Sequence, residues 1–349
     1  MIPKYLAEFG LVMCTSGVWV LQQEQLDDLA DIDAHIYLVC RHPRVSIDPN
    51  SFSVSKTKMS VAFHRHRPGG FERFVVEIVN VFQTINVKLV SSYPHTTFRL
   101  ESIDGRVIGG KAALVAAQMQ LFPFDPEVLY VGQSFGAAGE RNVVDRLKTH
   151  PTLQRIYAAA QLEAPDQETW LVLARFDENQ LTVINGALPS QMSRQQNEDH
   201  IRQVLENPVT EKQKIAFTEA ALIRYFQPRY NEKYREKFPS PEHLTYRECY
   251  ALDLNLVAAE IQTFDIPMRL WSDAVRPSLF HIASFPLHSA VERRALFDFV
   301  GPHLKSQRPV WRIRKSRRTG YDLGTEKGIK VGHAYTKAEA RASIRIRRR

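Results

Sequence analysis

From residue 111 onward the chain alternates short apolar runs with amphipathic stretches, and this alternation restricts its fold more than any other feature. Ala112–Gln118 and Val128–Val131 are compact apolar runs, the second closed by Gly132. Glu140–His150 places Val143, Val144 and Leu147 on one face at helical spacing. Trp170–Phe176 is a third strand-like run, and Ile215–Phe226 reads as an amphipathic helix stopped by Pro228. With Ala112–Gln118 taken as a strand, the order is β-β-α-β-α. Residues 177–214, polar and rich in Gln, Asn and Glu, interrupt it as a surface insertion with a helix around His200–Glu206.

The flanks differ in pattern. Residues 1–110 read as mostly strand: Gly10–Met13 and Gly17–Leu21 flank Cys14-Thr15-Ser16 as a hairpin turn, and Gln22 to Asp33 carries helical spacing. Ile36–Cys40, Ser60–Phe63, Phe74–Phe82 and Ile85–Val90 follow as strands. Residues 239–303 suggest strands at Leu252–Ala258 and Ile266–Leu270 and a helix at Ala290–Val300. The expected class is therefore α+β: a central β-β-α-β-α domain at 111–238, a mostly-β N-terminal region at 1–110 and an α+β C-terminal region at 239–303. A basic tail occupies 304–349. A chain of 349 residues suits two or three such units at about 150 residues each.

Charge is divided unevenly along this layout. Residues 304–349 carry 15 basic and 3 acidic residues, a net +12. The preceding 303 residues carry 31 basic against 35 acidic, so the whole chain stands at +8. An acidic body with a basic arm points to a polyanionic partner. Trp311 stands among Arg312, Arg314, Lys315, Arg317 and Arg318. That composition suits phosphate contact around one stacking platform. The low apolar content beyond 304 reads as a flexible end.

Three widely separated cysteines, Cys14, Cys40 and Cys249, make neither a disulfide framework nor a CxxC metal site, and they fit a reducing, cytoplasmic setting. Phe9 to Leu21 is interrupted by Thr15 and Ser16 and falls short of the ~20 residues that cross a membrane. It has neither a basic leader nor an evident cleavage site.

Five residues stand out inside the central pattern. Tyr130 lies in Tyr130-Val131-Gly132 at a strand end. Arg146 and His150 are four apart on one helix. Glu219 begins Glu219-Ala220-Ala221-Leu222-Ile223, and Asn231 follows twelve residues later, with Pro228 between them. In this order they resemble the GIY-YIG nuclease family, over roughly residues 111–235. The resemblance implies a divalent-metal-dependent endonuclease that hydrolyses DNA phosphodiester bonds, with RNA as the other polyanion, and a role in restriction, defence, repair or mobile elements. It implies catalytic positions at Tyr130, Arg146, His150, Glu219 and Asn231, with Glu219 also the ligand of Mg²⁺ or Mn²⁺. Lys148 and Arg229 beside these positions are candidate phosphate contacts. The family's first Tyr belongs on the strand before Tyr130. Ala112–Gln118 has none, and Ala116 or Ala117 stands in its place. Tyr130 or His150 then takes over that tyrosine's work on the attacking water, or the protein is a catalytically inactive nucleic-acid binder.

The residue types match the chemistry. Phosphodiester hydrolysis builds negative charge on the non-bridging oxygens, and a divalent cation neutralises it. A single carboxylate suits Mg²⁺, which keeps several of its waters. Arg146 grips a phosphate bidentately, which Lys does less well. A Tyr base needs a nearby cation to lower a pKa of ~10, and His needs little adjustment. Asn231 suits a geometric role. His64 and His66 beside Arg-Pro-Gly-Gly read as surface, and His281 and His288 as structural. Gly132, Gly136 and Gly139 do not match a nucleotide loop.

Overall fold

The computed structural model describes residues 4–29, 32–134, 147, 151–184, 190–235, 238, 247–288, 311–315, 321–325 and 330–334. It contains two compact units, 1–293 and 294–349.

The larger unit is built on one eight-stranded sheet. Its strands are β1 (Ala7–Leu21), β2 (Ile36–Pro43), β9 (Glu127–Gln133), β10 (Gln167–Ile184), β11 (Leu256–Gln262), β12 (Leu270–Ser272), β13 (Val275–Ser278) and β14 (Phe280–Pro286). Their order across the sheet is β13-β12-β9-β2-β10-β1-β11-β14. The two edge strands, β13 and β14, are consecutive in the chain and separated only by Leu279, so the sheet comes close to closing on itself as a barrel. Strand exceeds helix by 46% to 23%, which makes the protein mostly β.

This corrects the expected α+β class with its central β-β-α-β-α domain. The reason lies in the edges of β10. That strand continues to Ile184, through the first part of the stretch read as a polar insertion. β1 pairs with it antiparallel from Ala7↔Ile184 to Leu21↔Leu171. β1 then pairs in parallel with β11, which pairs antiparallel with β14. Strands from both flanks thus extend the central ones. The turn expected at Cys14-Thr15-Ser16 is instead a bulge between Thr15 and Gly17 inside one continuous strand.

Ala112–Gln118, expected as a strand, is a helix, α1. Ala is the strongest helix former, and Ala112, Ala113, Ala116 and Ala117 repeat on one buried side. Residues 44–126 lie between β2 and β9. They form two three-stranded antiparallel sheets, β3-β4-β5 (Val45–Val54, Lys58–Arg67, Gly70–Val79) and β6-β7-β8 (Val87–Val90, Thr97–Ser102, Val107–Lys111).

The central strands are covered on both faces, which explains their continuous apolar runs. Ile36–Cys40 and Trp170–Ala174 are fully buried. Alternate side chains enter two separate cores. Ile36, Leu38, Cys40, Trp170 and Val172 join one, together with the helix α4 (Glu211–Phe226). Tyr37, Val39, Leu129, Leu171 and Leu173 join the other, with Leu153 and Ile156 of the helix α2 (Pro151–Glu163). The helix α3 (Arg194–Glu206) begins at Ser193, whose N–H donates to Gln196 Oε1 (2.9 Å) while its Oγ accepts from Gln196 N (3.3 Å). α4 starts with Thr210 N–H donating to Gln213 Oε1 (3.0 Å) and ends at Gln227, φ 52°, just before Pro228.

Strands expected at Leu252–Ala258 and Ile266–Leu270 appear as β11 and β12, shifted toward the C-terminus. The helices expected at Glu140–His150 and Ala290–Val300 fall outside the described residues, apart from helical Leu147. Among the described residues no helix is long and apolar enough to cross a membrane.

The smaller unit holds a three-stranded antiparallel sheet, β15 (Trp311–Lys315), β16 (Tyr321–Thr325) and β17 (Lys330–Ala334). The register sets Trp311 against Thr325, Arg312 against Gly324, Arg314 against Asp322 and Lys315 against Tyr321. These three strands lie within the end expected to be flexible. Ile313, Leu323 and Val331, thinly spaced in sequence, sit one to a strand.

Candidate functional site at strand β9

Four residues of β9, Tyr130 to Gln133, gather the described catalytic candidates Tyr130, Glu219 and Asn231. Ser134 N–H donates to His35 O (2.8 Å), so the groups of residue 134 face β2. The pleat then turns the N–H and C=O of Val131 and the N–H of Gln133 to the other edge. β12 meets β9 only at Trp271↔Glu127, so strand pairing does not cover this edge.

The segment after α4 covers it instead. Tyr230 N–H donates to Leu129 O (3.1 Å). Asn231 Nδ2 donates to Val131 O (2.9 Å), and Asn231 Oδ1 accepts from Val131 N (2.9 Å). One amide side chain thereby imitates a strand residue. Farther along, Gln133 N–H donates to Glu219 Oε1 (3.2 Å). Glu219 is half-buried, next to Thr218 and Ala220 in the packed part of α4. Pro228 releases the chain from the helix so that Tyr230 and Asn231 lie along β9. The spacing of Glu219, Pro228 and Asn231 follows from this edge.

On the opposite side, Tyr37 of β2 stands directly across from Gly132. Tyr37 is 0% exposed. A Cβ at Gly132 would lie 2.5 Å from Tyr37 Cζ and Oη and 2.9 Å from Tyr130 Cε1. Gly is required here for space, because two phenol rings close over its Cα. The rings of Tyr37 and Tyr130 are 6.0 Å apart at 34°, and Tyr130 is half-buried. Sequence reading missed Tyr37. Its signal was Ile36-Tyr37 at the start of an apolar run, 95 residues before its partner Gly132.

Tyr157 of α2 and Tyr230 line the same core. The Tyr157 hydroxyl is buried without a hydrogen-bond partner among the described residues. Burial pushes its pKa up, and the nearby Glu24 carboxylate adds to this. The Arg155 and Arg229 guanidinium carbons lie 5.6 and 5.5 Å from the centre of the Tyr230 ring.

The structure thus brings together Tyr130, Glu219 and Asn231, and places Arg229 next to them. Arg146, Lys148 and His150 lie outside the described residues, as do Arg317 and Arg318. Leu147, between the first of these, is fully buried in the tyrosine-lined core. Trp311, Arg312, Arg314 and Lys315 belong to β15 in the other unit.

His64, His66, His281 and His288 each have a structural neighbour. His64 stacks on Phe71 (4.0 Å, 23°), and His66 Nε2 is 2.8 Å from Ser46 Oγ. His281 Nε2 donates within 2.9 Å of Leu270 O and 3.0 Å of Ser278 O. His288 Nε2 is 3.0 Å from Asp253 Oδ1. Two cavities lie away from β9. One, of 290 Å³, is lined by Leu11, Val204 and Leu254; the other, of 260 Å³ and mainly apolar, is lined by Phe63, Val76, Phe98 and Met119.

No group of three or more His, Cys, Asp and Glu side chains is placed to hold a metal among the described residues. The donor chemistry at β9 is that of one carboxylate, held in orientation by a backbone N–H. This fits a hard cation that takes its other ligands from water and phosphate. Comparisons with family models, curated proteins and solved structures found no match to this chain.

Proposed function

We propose that this protein is a divalent-metal-dependent endonuclease that hydrolyses DNA, with a site resembling that of GIY-YIG nucleases set on an eight-stranded sheet. The observation that carries the reading is the pair of tyrosines closing over Gly132, on the strand whose next residue holds Glu219. In this reading Tyr37, across from Gly132, stands for the tyrosine that Ala112–Gln118 lacks, and this supports an active enzyme over an inactive binder.

The described residues of the site have tasks consistent with their settings, and Arg146, His150, Arg317 and Arg318 take theirs from the sequence pattern. Glu219 would hold Mg²⁺ or Mn²⁺, and Gln133 N–H orients its carboxylate at the strand end. When bound, such a cation would supply neutralisation of the charge that builds on the phosphate. Tyr130, the more accessible of the two phenols, contacts the attacking water, and buried Tyr37 backs it. Arg146 grips the scissile phosphate, and His150 accepts the proton released from water. Asn231 keeps β9 straight at Val131 and does not take part in the chemistry. Trp311, Arg312, Arg314, Lys315, Arg317 and Arg318 add sequence-independent phosphate attraction. Three cysteines, widely separated in sequence, fit a cytoplasmic setting.

The test is cleavage of plasmid DNA with Mg²⁺ or Mn²⁺. Wild type should nick or linearise it, and Glu219→Gln, Tyr130→Phe and Arg146→Ala should each lose at least about a hundredfold in rate. Cleavage by Glu219→Gln at the wild-type rate would end the proposal.

A further inference from the structure

The two guanidinium groups on Tyr230 lie outside the set that the proposed chemistry uses. Tyr230 is a fixed platform. Its N–H is bonded to Leu129 O, and the next residue is bonded twice to Val131. Its ring belongs to the same core as Tyr37 and Tyr130. Arg155 reaches it from α2 and Arg229 from the segment after α4, both from exposed positions.

Neither arginine forms an ion pair with a carboxylate among the described residues. By contrast, Arg41, Arg67, Arg99, Arg106, Arg175 and Arg269 all do. Two like charges converging on one ring repel each other, and an anion between them reverses that repulsion. The aromatic face holds each guanidinium by cation–π attraction, which leaves its N–H donors for oxygen acceptors. A phosphodiester supplies such oxygens, and guanidinium matches them bidentately.

We infer that Arg155 and Arg229 form a phosphate clamp on Tyr230 that holds the nucleic-acid backbone next to the β9 site. This inference rests on the nuclease reading for its substrate class. Both arginines are positioning residues: they hold a phosphate that is not cleaved and leave the reacting atoms to Tyr130, Arg146 and Glu219.

The experiment measures binding apart from chemistry. Fluorescence anisotropy of a labelled DNA duplex is followed against salt in EDTA, and cleavage is followed separately with Mg²⁺. Arg155→Ala and Arg229→Ala should each reduce the slope of log K against log salt by about 0.9, and the double variant by about twice that. Tyr230→Leu should weaken binding about as much as one arginine loss, whereas Tyr230→Phe should not. Cleavage by Arg155→Ala should show a raised KM with kcat within about twofold of wild type. Circular dichroism and thermal melting confirm that each variant is folded. An unchanged salt slope in folded Arg155→Ala and Arg229→Ala variants overturns the clamp, even if wild type cleaves DNA. Wild type that binds with the expected slopes but never cleaves overturns the nuclease reading and leaves the clamp standing.

Discussion

The two faces of β2 and β9 are built from the same backbone and differ in chemistry. Toward α4 they present Ile36, Leu38, Val128 and Val131 against Phe217, Ala220 and Ile223, an apolar packing with the Glu219 carboxylate at its edge on Gln133 N–H. Toward α2 they present Tyr37 and Tyr130, joined by Tyr157 and Tyr230. Phenols are a poor choice for a core that needs only volume, because each buried hydroxyl requires a partner. One face therefore stabilises the sheet, while the other keeps polar groups next to a strand end.

The largest effect that tests this contrast is on the apolar face. Phe217 is 1% exposed and stacks on Phe238. Phe217→Ala should lower stability by about 4 kcal/mol in urea unfolding. A loss under about 1 kcal/mol would mean that α4 is not the main buttress.

Gly132→Ala comes next. Its new methyl group meets Tyr37 and Tyr130 within contact distance, and the overpacking should remove about 2 kcal/mol and most of the proposed cleavage activity. Unchanged stability would show that the two rings do not close on this residue.

Titration of one cross-strand pair gives a smaller signal. Glu168 and His42 are opposed in the β10–β2 register. Burial raises Glu168 from 4.5 to about 7, despite nearby Arg44 and Lys111. Burial lowers His42 from 6.5 to about 4. Folded Glu168 keeps a proton that the unfolded chain has released, so its contribution is complete below about 4.5 and disappears as pH rises through about 7. Folded His42 stays neutral where the unfolded chain is protonated, so its contribution disappears as pH falls from 6.5 through 4. The two offset each other in wild type. Glu168→Gln should expose the His42 dependence as a rise in stability, on the order of 2 kcal/mol, between acid and neutral pH. Urea titrations across pH check this, and a flat profile in the variant counts against it.

Tyr157→Phe should have the smallest effect on folding. Removing a buried hydroxyl with no partner among the described residues should be neutral or should stabilise by up to about 1 kcal/mol. If cleavage falls with it, the hydroxyl belongs to the site; if cleavage is unchanged, Tyr157 is only packing.

Much of the site was legible because its signals are local. Val128–Val131 ending in Gly132 is β9, and Ile215–Phe226 lies within α4 with Glu219 on it. Pro228 and Asn231 stand where a helix must stop and a side chain must return to the strand edge. The class was not legible. Periodicity reports which way a residue faces in its own element, and it is blind to which strand pairs with which. The partners of β10 come from residues 7–21 and 36–43, far from it in the chain. Ala112–Gln118 was misread because a short apolar run fits either a strand or a buried helix.

The apolar runs, the helix stop at Pro228, the Tyr130-Val131-Gly132 strand end, the Glu219–Asn231 spacing and the +12 excess in the last 46 residues are all written in the order of residues. Each depends on neighbours within a few positions or on composition alone. That eight strands form one sheet, that Tyr37 lies across from Gly132, and that Arg155 and Arg229 share one tyrosine ring emerge from the folded chain alone. The physical reason is that hydrogen-bonded registers and close side-chain packing depend on distance in space, and 83 residues forming two small sheets and a helix separate the strands that carry the two tyrosines.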